Sequence, residues 1–211
     1  MKKFDYSSVN FVELVSEKKK QVFTPKRIGH RIALMDYGAK ASIVRELLKR
    51  NCEVAVFPHS AKAEEVAGKD FDGIMLSNGP GDPALLTKEI AELRKMVLKK
   101  PVFGICLGHQ LLACAFGAKT FKLKFGHRGA NHAVKSPDGR AFVTTQNHGF
   151  SVDSKSLPKT LEETLVDCLD GTNEGLRHKD LPVFSIQFHA EANPGPYDAN
   201  FFFEEFLKMV K

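Results

Sequence analysis

The sequence predicts an α/β protein on an open, mostly parallel, doubly wound sheet, and three observations carry that prediction. Through residue 117, short runs that are apolar throughout alternate with stretches whose apolar residues recur at helical spacing. Such runs fit strands covered on both faces, the habit of parallel sheets flanked by helices. A tight turn from Gly104 to Gly108, with Cys106 at its centre, joins one such run directly to one such helix. Beyond it the pattern changes to strand segments separated by Gly, Asn and Asp turns, a β-rich segment that extends the sheet.

Residues 1–27 are polar and basic apart from a brief Phe11-Val12-Leu14-Val15 cluster, and read as a connector or loosely packed arm ahead of one domain over 28–211. The first strand covers Arg31 to Met35. A helix follows over 39–50, with Ile43, Val44, Leu47 and Leu48 on one face, then strands at Val54–Phe57 and Gly73–Leu76. Asp82-Pro83 has the form of an N-cap followed by proline at the first helical position, and predicts that a helix opens there. Leu86, Ile90, Leu93 and Val97 supply its apolar stripe. Val102, Phe103 and Ile105 form a fourth strand, and Leu107, Leu111, Leu112 and Ala115 a helix ending near Gly117. Short strands are expected over 118–152 and 163–188. The last helix is expected from about Asp198, with Phe202, Phe203, Phe206 and Val210 on its buried face.

At 211 residues, 43% hydrophobic and 27% charged, the chain can bury a full core. No stretch of eighteen apolar residues suggests a membrane span, and MKKFDYSSVN lacks a signal core, so a cytoplasmic protein is expected. The four cysteines (Cys52, Cys106, Cys114, Cys168) have no C-x-x-C spacing, and neither a disulfide framework nor a metal site is expected. Twelve Lys/Arg against five Asp/Glu in residues 1–50 give +7 there, so the remainder of the +6 chain nets −1. The run Lys18-Lys19-Lys20 lacks interleaved aromatics and reads as solvated linker, not a nucleic-acid patch.

Chemistry concentrates at Cys106. A strand-to-helix turn flanked by Gly104 and Gly108 is the thiol form of a nucleophile elbow, in which larger flanking residues would clash. The helix N-terminus behind it favours thiolate and offers free N–H groups. A cysteine nucleophile needs a base and a group to orient that base. Of eight histidines, His189 stands at the end of the apolar run Val183–Phe188 with Glu191 two residues on, so a strand-end imidazole could hold its Nδ1 proton on a carboxylate and face sulfur with Nε2. His109, on the elbow helix, is expected to pack or hydrogen-bond there. An oxyanion needs donors: the N–H of Leu107 is the natural first, and Ser77-Asn78-Gly79-Pro80-Gly81-Asp82-Pro83 could bring a second.

SNGPGDP at 77–83, FGICLGHQLL at 103–112, QNHGF at 146–150 and the His189/Glu191 pair together resemble the class I (triad-type) glutamine amidotransferases. KFGHRGANHAV at 124–134, DGTNEGL at 170–176 and EANPGPYDA at 191–199 resemble, within them, the small subunits of glutamine-dependent carbamoyl-phosphate synthetases. The resemblance covers about residues 28–211. It implies hydrolysis of L-glutamine to glutamate and ammonia, with Cys106 as nucleophile, His189 moving the proton and Glu191 positioning His189. It implies an oxyanion hole from the N–H groups of Gly79 and Leu107, and substrate contacts from these two with Gly81, Gln110, Asn147, Gly149 and Phe150. No cofactor is implied in this chain. The ammonia would pass to a large, ATP-using subunit, which makes carbamoyl phosphate for pyrimidine and arginine synthesis.

The usual His-Pro-Glu reads His189-Ala190-Glu191 here, which loses a rigid φ but no catalytic group. The family's small subunit also carries a domain N-terminal to this one, to which residues 1–27 correspond only as connector, through FVELVSEK. Two other readings of the residues stay open: a γ-glutamyl hydrolase on the same fold, and a non-catalytic interaction module that keeps the fold.

Overall fold

The computed structural model describes residues 9–210. Residues 1–8 of the connector and Lys211 lie outside the described residues. The chain forms α1 (Phe11–Val15), β1 (Gln21–Phe23), β2 (His30–Asp36), α2 (Ala41–Lys49), β3 (Cys52–Pro58), α3 (Ala63–Val66), β4 (Gly73–Leu76), α4 (Thr87–Met96), β5 (Val102–Ile105) and α5 (Leu107–Ala115). Then follow β6 (Thr120–Lys135), β7 (Ala141–Val152), β8 (Leu161–Asp167), β9 (Asn173–His178), β10 (Val183–Ile186) and α6 (Phe202–Met209).

All ten strands join one open sheet in the order β1-β3-β2-β4-β5-β10-β9-β8-β6-β7. Its centre, from β3 to β10, is parallel, and both flanks are antiparallel. Strand β2 shows why its middle, Ile32 to Met35, is apolar throughout. Ile32 and Leu34 point to one face, where α2 and α6 cover them with Ile43, Leu47, Phe203 and Phe206. Ala33 and Met35 point to the other, among Leu93, Leu107 and Leu111 of α4 and α5. Each such burial contributes roughly 1.5–3 kcal/mol against leaving the side chain in water. Phe103 stacks on Phe184 at 4.5 Å and meets Phe203 edge-on at 5.9 Å, locking α6 to the central strands.

Several elements differ from the sequence expectation, each for a local reason. Asp82 does cap a helical turn, accepting from the Ala84 amide at 2.9 Å, but Pro83–Leu85 is a single 3₁₀ turn. Leu86, at φ −92° and ψ 47°, interrupts it, and α4 starts at Thr87. Over 118–152 two long strands replace the expected short ones. Gly126 (φ +70°) and Gly129 (φ +149°) sit at register shifts within β6, so they make bulges, not turns. Strand β10 stops at Ile186, because its parallel partner β5 ends at Ile105 and turns into the elbow; His189 therefore lies three residues beyond the strand. The last helix begins at Phe202, four residues later than expected, with Phe203, Phe206 and Val210 buried. The described part of the connector is packed: Val12 is buried in the core and β1 pairs antiparallel with β3.

Candidate active site

The elbow places Cys106 at φ 54° and ψ −104°, backbone that an L-residue holds only when its surroundings impose it, at a cost of roughly 1–3 kcal/mol. Its neighbours impose it here. A Cβ on Gly104 would lie 2.8 Å from the Gly108 carbonyl, and one on Gly108 would lie 2.5 Å from the Leu76 oxygen. Helix α5 thus rests backbone to backbone on the end of β4. The Gly108 amide donates to the Ser77 oxygen at 3.0 Å. Ser77 Oγ accepts from the Tyr37 amide at 2.9 Å and donates to the Asn78 carbonyl at 2.7 Å. Asn78 in turn accepts from the Lys40 amide at 3.0 Å and donates to the Gly38 carbonyl at 3.1 Å. The loop after β4, which carries Gly79 and Gly81, is in this way tied to both the elbow and the loop after β2.

A cavity of about 620 Å³ opens over this turn, within the size range of small-molecule sites. Cys106 and His189 both line it. His189 Nδ1 lies 2.7 Å from Glu191 Oε1, and Lys40 Nζ lies 3.0 Å from the same oxygen while donating to the Ala192 carbonyl at 2.8 Å. The chain of charge therefore runs Cys106, His189, Glu191, Lys40. Burial pulls the His189 pKa down, but the Cys106 sulfur and the Glu191 carboxylate outweigh it and push it up to about 10. Burial would raise Glu191, yet His189 and Lys40 hold its carboxyl below the usual range. This is the electrostatics of an imidazolium standing on an ionised carboxylate.

Of the residues expected from the sequence, Gly79, Gly81, Gln110, Asn147, Gly149 and Phe150 line the same cavity. Glu191 is fully enclosed behind His189. The Leu107 side chain is buried in the core, so only its backbone N–H could face a ligand. Gln110 Nε2 donates to the Phe150 carbonyl (2.8 Å) and to Gln187 Oε1 (2.9 Å), which leaves Oε1 as the atom it can offer a ligand. His109, wholly buried, has Nδ1 2.9 Å from Ser185 Oγ; burial, with help from His148, drives its pKa down to about 3, so it is a neutral packing residue. Sequence reasoning missed Lys40, Gln187 and the basic rim of Lys122, Lys124 and Arg128. Lys40 meets its partners about 150 residues away, and no local pattern marks it.

The sequence model of the class-I glutamine amidotransferase family matches residues 33–209. The carbamoyl phosphate synthase small chain of Bacillus caldolyticus is 55% identical over 185 residues, which is 87% of this chain and 51% of that protein. The small chain of Staphylococcus epidermidis is 52% identical over 202 residues, 95% of this chain and 55% of that protein. The chain thus spans about half the length of the curated relatives it matches. Among solved structures, PurLQS from Thermotoga maritima superposes with a TM-score of 0.68 at 16% identity, covering 90% of this chain and 100% of that one. A glutamine amidotransferase from the same organism gives 0.60 at 19% identity, covering 77% and 76%. At these identities the superpositions concern the fold alone. No helix among the described residues is long and apolar enough to cross a membrane.

Proposed function

Because the chain belongs to the class-I glutamine amidotransferase family, we propose that it hydrolyses the side-chain amide of L-glutamine and supplies the ammonia to a carbamoyl-phosphate synthetase large subunit. The observation that carries the reading is one cavity shared by a strained elbow cysteine and an imidazole held on a buried, ionised carboxylate.

The Cys106 thiolate attacks the amide carbon, and charge develops on the amide oxygen. The Gly79 and Leu107 amides are the donors for it, since the Gly108 amide is already committed to Ser77. His189 gives its Nε2 proton to the departing nitrogen; the C–N bond breaks, ammonia leaves and a thioester remains. The neutral imidazole then takes a proton from water as it attacks the thioester. Glutamate leaves and the thiolate–imidazolium pair returns. Glu191 stabilises the imidazolium and fixes its orientation, and Lys40 keeps Glu191 ionised. Gln110 Oε1, Gly81 and the Asn147–Phe150 wall hold the amino-acid end, with the basic rim drawing in its carboxylate. No cofactor takes part in these steps; the use of ATP belongs to the proposed partner.

The test is ammonia release from glutamine by wild type and Cys106→Ser, with and without a large subunit. Turnover that vanishes in a folded Cys106→Ser and rises with the large subunit is expected. Preferential cleavage of γ-glutamyl peptides over glutamine, indifferent to any large subunit, would overturn the reading.

A further inference from the structure

A second polar cluster lies behind the cavity wall, enclosed by β6, β7, β8 and β9, and glutamine hydrolysis makes no use of it. His127 and His132 come from β6, Asp167 ends β8, and Glu174 is on β9. Their imidazole rings lie parallel within 28°, with centroids 5.1 Å apart. Asp167 is 1% exposed and Glu174 is 0% exposed. Three buried atoms here have no hydrogen-bond partner: His132 Nδ1, Asp167 Oδ2 and Glu174 Oε1. The first two face each other, and the third faces His127 and His148. His132 Nδ1 is 3.6 Å from Asp167 Oδ2, and His127 Nδ1 is 4.0 Å from that oxygen and 3.5 Å from Glu174 Oε1.

Unpaired buried polar atoms are rare and demand an explanation. A protonated His127 answers only part of it. It can serve Glu174 and Asp170, whose Oδ2 lies 2.9 Å from its Nε2, but it leaves the His132–Asp167 pair unserved. The spacing suggests another answer. Four ligands at about 2.1 Å around a tetrahedral ion lie roughly 3.4 Å apart. Asp167 Oδ2 lies 3.6 Å from His132 Nδ1 and 4.0 Å from His127 Nδ1, near that edge, and the donor atoms of these three residues all lie within 4.8 Å of one another. Three carboxylates (Asp167, Asp170, Glu174) stand among three imidazoles (His127, His132, His148), a mixed donor set that suits a cation.

We propose that His127, His132 and Asp167 form a binding site for one divalent transition-metal ion of the zinc class, with water completing a four-coordinate shell. Mixed imidazole and carboxylate donors suit zinc, cobalt(II) or nickel, not magnesium or calcium, which take oxygen alone. To bind, His127 Nδ1 exchanges its 2.9 Å contact with Gln146 Oε1 for the ion. Gln146 is not stranded, because His148 Nε2 lies 2.7 Å from the same oxygen. Asp170, on the other ring nitrogen of His127, is the outer-shell carboxylate that orients a ligating imidazole. The sequence hides the set because its members fall on two strands at positions 127, 132 and 167 and show no ligand spacing.

The test uses the full chain carrying Cys106→Ser and Cys168→Ser, so that neither the cavity thiol nor the exposed thiol beside Asp167 can hold the metal. Dialysis against Zn²⁺ with elemental analysis should give one ion per chain. Co²⁺ should give d–d bands of a four-coordinate nitrogen–oxygen site without a sulfur charge-transfer band. Asp167→Asn is the sharp variant. Its Oδ1 still accepts from the Leu169 and Asp170 amides, at 2.7 and 3.3 Å, so the turn stands while the unpaired oxygen becomes an NH₂ group. It and His132→Gln should each weaken binding at least tenfold. Less than half an equivalent of Zn²⁺ in the doubly substituted chain would overturn the proposal. So would affinity within twofold of the parent in both folded variants. Should either variant unfold, the cobalt spectrum of the parent decides: octahedral or absent d–d bands refute the site.

Discussion

Replacing Gly108 by alanine tests whether the elbow is held by backbone contact. The added Cβ would lie 2.5 Å from Leu76 O, 2.7 Å from Leu76 Cβ and 2.9 Å from Leu76 C. Comfortable contacts are about 3.5–4.0 Å, so α5 must withdraw by roughly 1 Å. No rotamer change can relieve it, because each obstructing atom is β4 backbone or a Cβ. Withdrawal stretches the 3.0 Å bond from the Gly108 amide to Ser77 beyond hydrogen-bond range. Overpacking costs about 1–3 kcal/mol and the lost bond about 1 kcal/mol, against up to about 1 kcal/mol gained from alanine's helix propensity. A net loss of about 1–3 kcal/mol lowers Tm by about 2–12 °C in a domain of this size. A 1 Å displacement of the nucleophile costs on the order of 100-fold in kcat. Gly117→Ala is the matched control: Gly117 sits at φ +98° with nothing within 4 Å of its Cβ position, so it should lose about 1 kcal/mol and keep its kcat. Melting curves and steady-state ammonia release on both variants check this. The reasoning fails if Gly108→Ala keeps kcat within twofold, or if Gly117→Ala loses as much activity.

Lys40→Met removes a cation 3.0 Å from Glu191. The Coulomb ceiling is about 5 kcal/mol, but Lys40 is partly exposed, so about 1–2 kcal/mol survives, or roughly tenfold in kcat/KM. Without it the Glu191 carboxyl rises toward its ordinary range, so the acid limb of the pH–rate profile should move to higher pH; an unmoved limb would remove Lys40 from the charge chain. His189 is raised to about 10, so its proton is in place below that pH and is lost through it. The alkaline limb of kcat/KM should therefore fall near pH 10, and Glu191→Gln should shift it to lower pH, as initial rates between pH 7 and 11 would reveal. Phe206→Ala, which empties a fully buried site beside Phe103, should cost about 3–5 kcal/mol and lower Tm by about 6–20 °C with little change in kcat at 25 °C, measured by calorimetry and ammonia release.

The central strands and the elbow were legible because their signals are local. Burial on both faces makes the centres of β2 to β5 apolar, and steric closeness demands glycine at 104 and 108. The His189/Glu191 pair was legible because two residues of separation suffice to bring ring and carboxylate to 2.7 Å. Lys40, Gln187 and the His127–Asp167–Glu174 cluster act through partners on distant strands, which spacing along the chain does not encode. Gly126 and Gly129 misled for a definite reason: positive φ serves a turn and a bulge equally well, and only the partner strand decides between them. Asp82-Pro83 announced a helix start correctly, but not that Leu86 would break the turn after one revolution.

The register shift between Lys122 and His127 has an evolutionary consequence. Four cavity-lining residues, Leu123 to Gly126, sit in a stretch of β6 outside the regular ladder, with Phe125 80% exposed at its tip. Changes at Leu123 or Phe125 break no regular rung, whereas a side chain at Gly126 (φ +70°) would meet the His148 carbonyl at 2.6 Å. Descendants of such a domain can vary Leu123 and Phe125 while keeping Lys124 and Gly126, which the cavity uses. The entrance to the cavity can drift with each lineage's substrate traffic or neighbouring protein, and its floor stays under the strict constraint of glycines that admit no side chain.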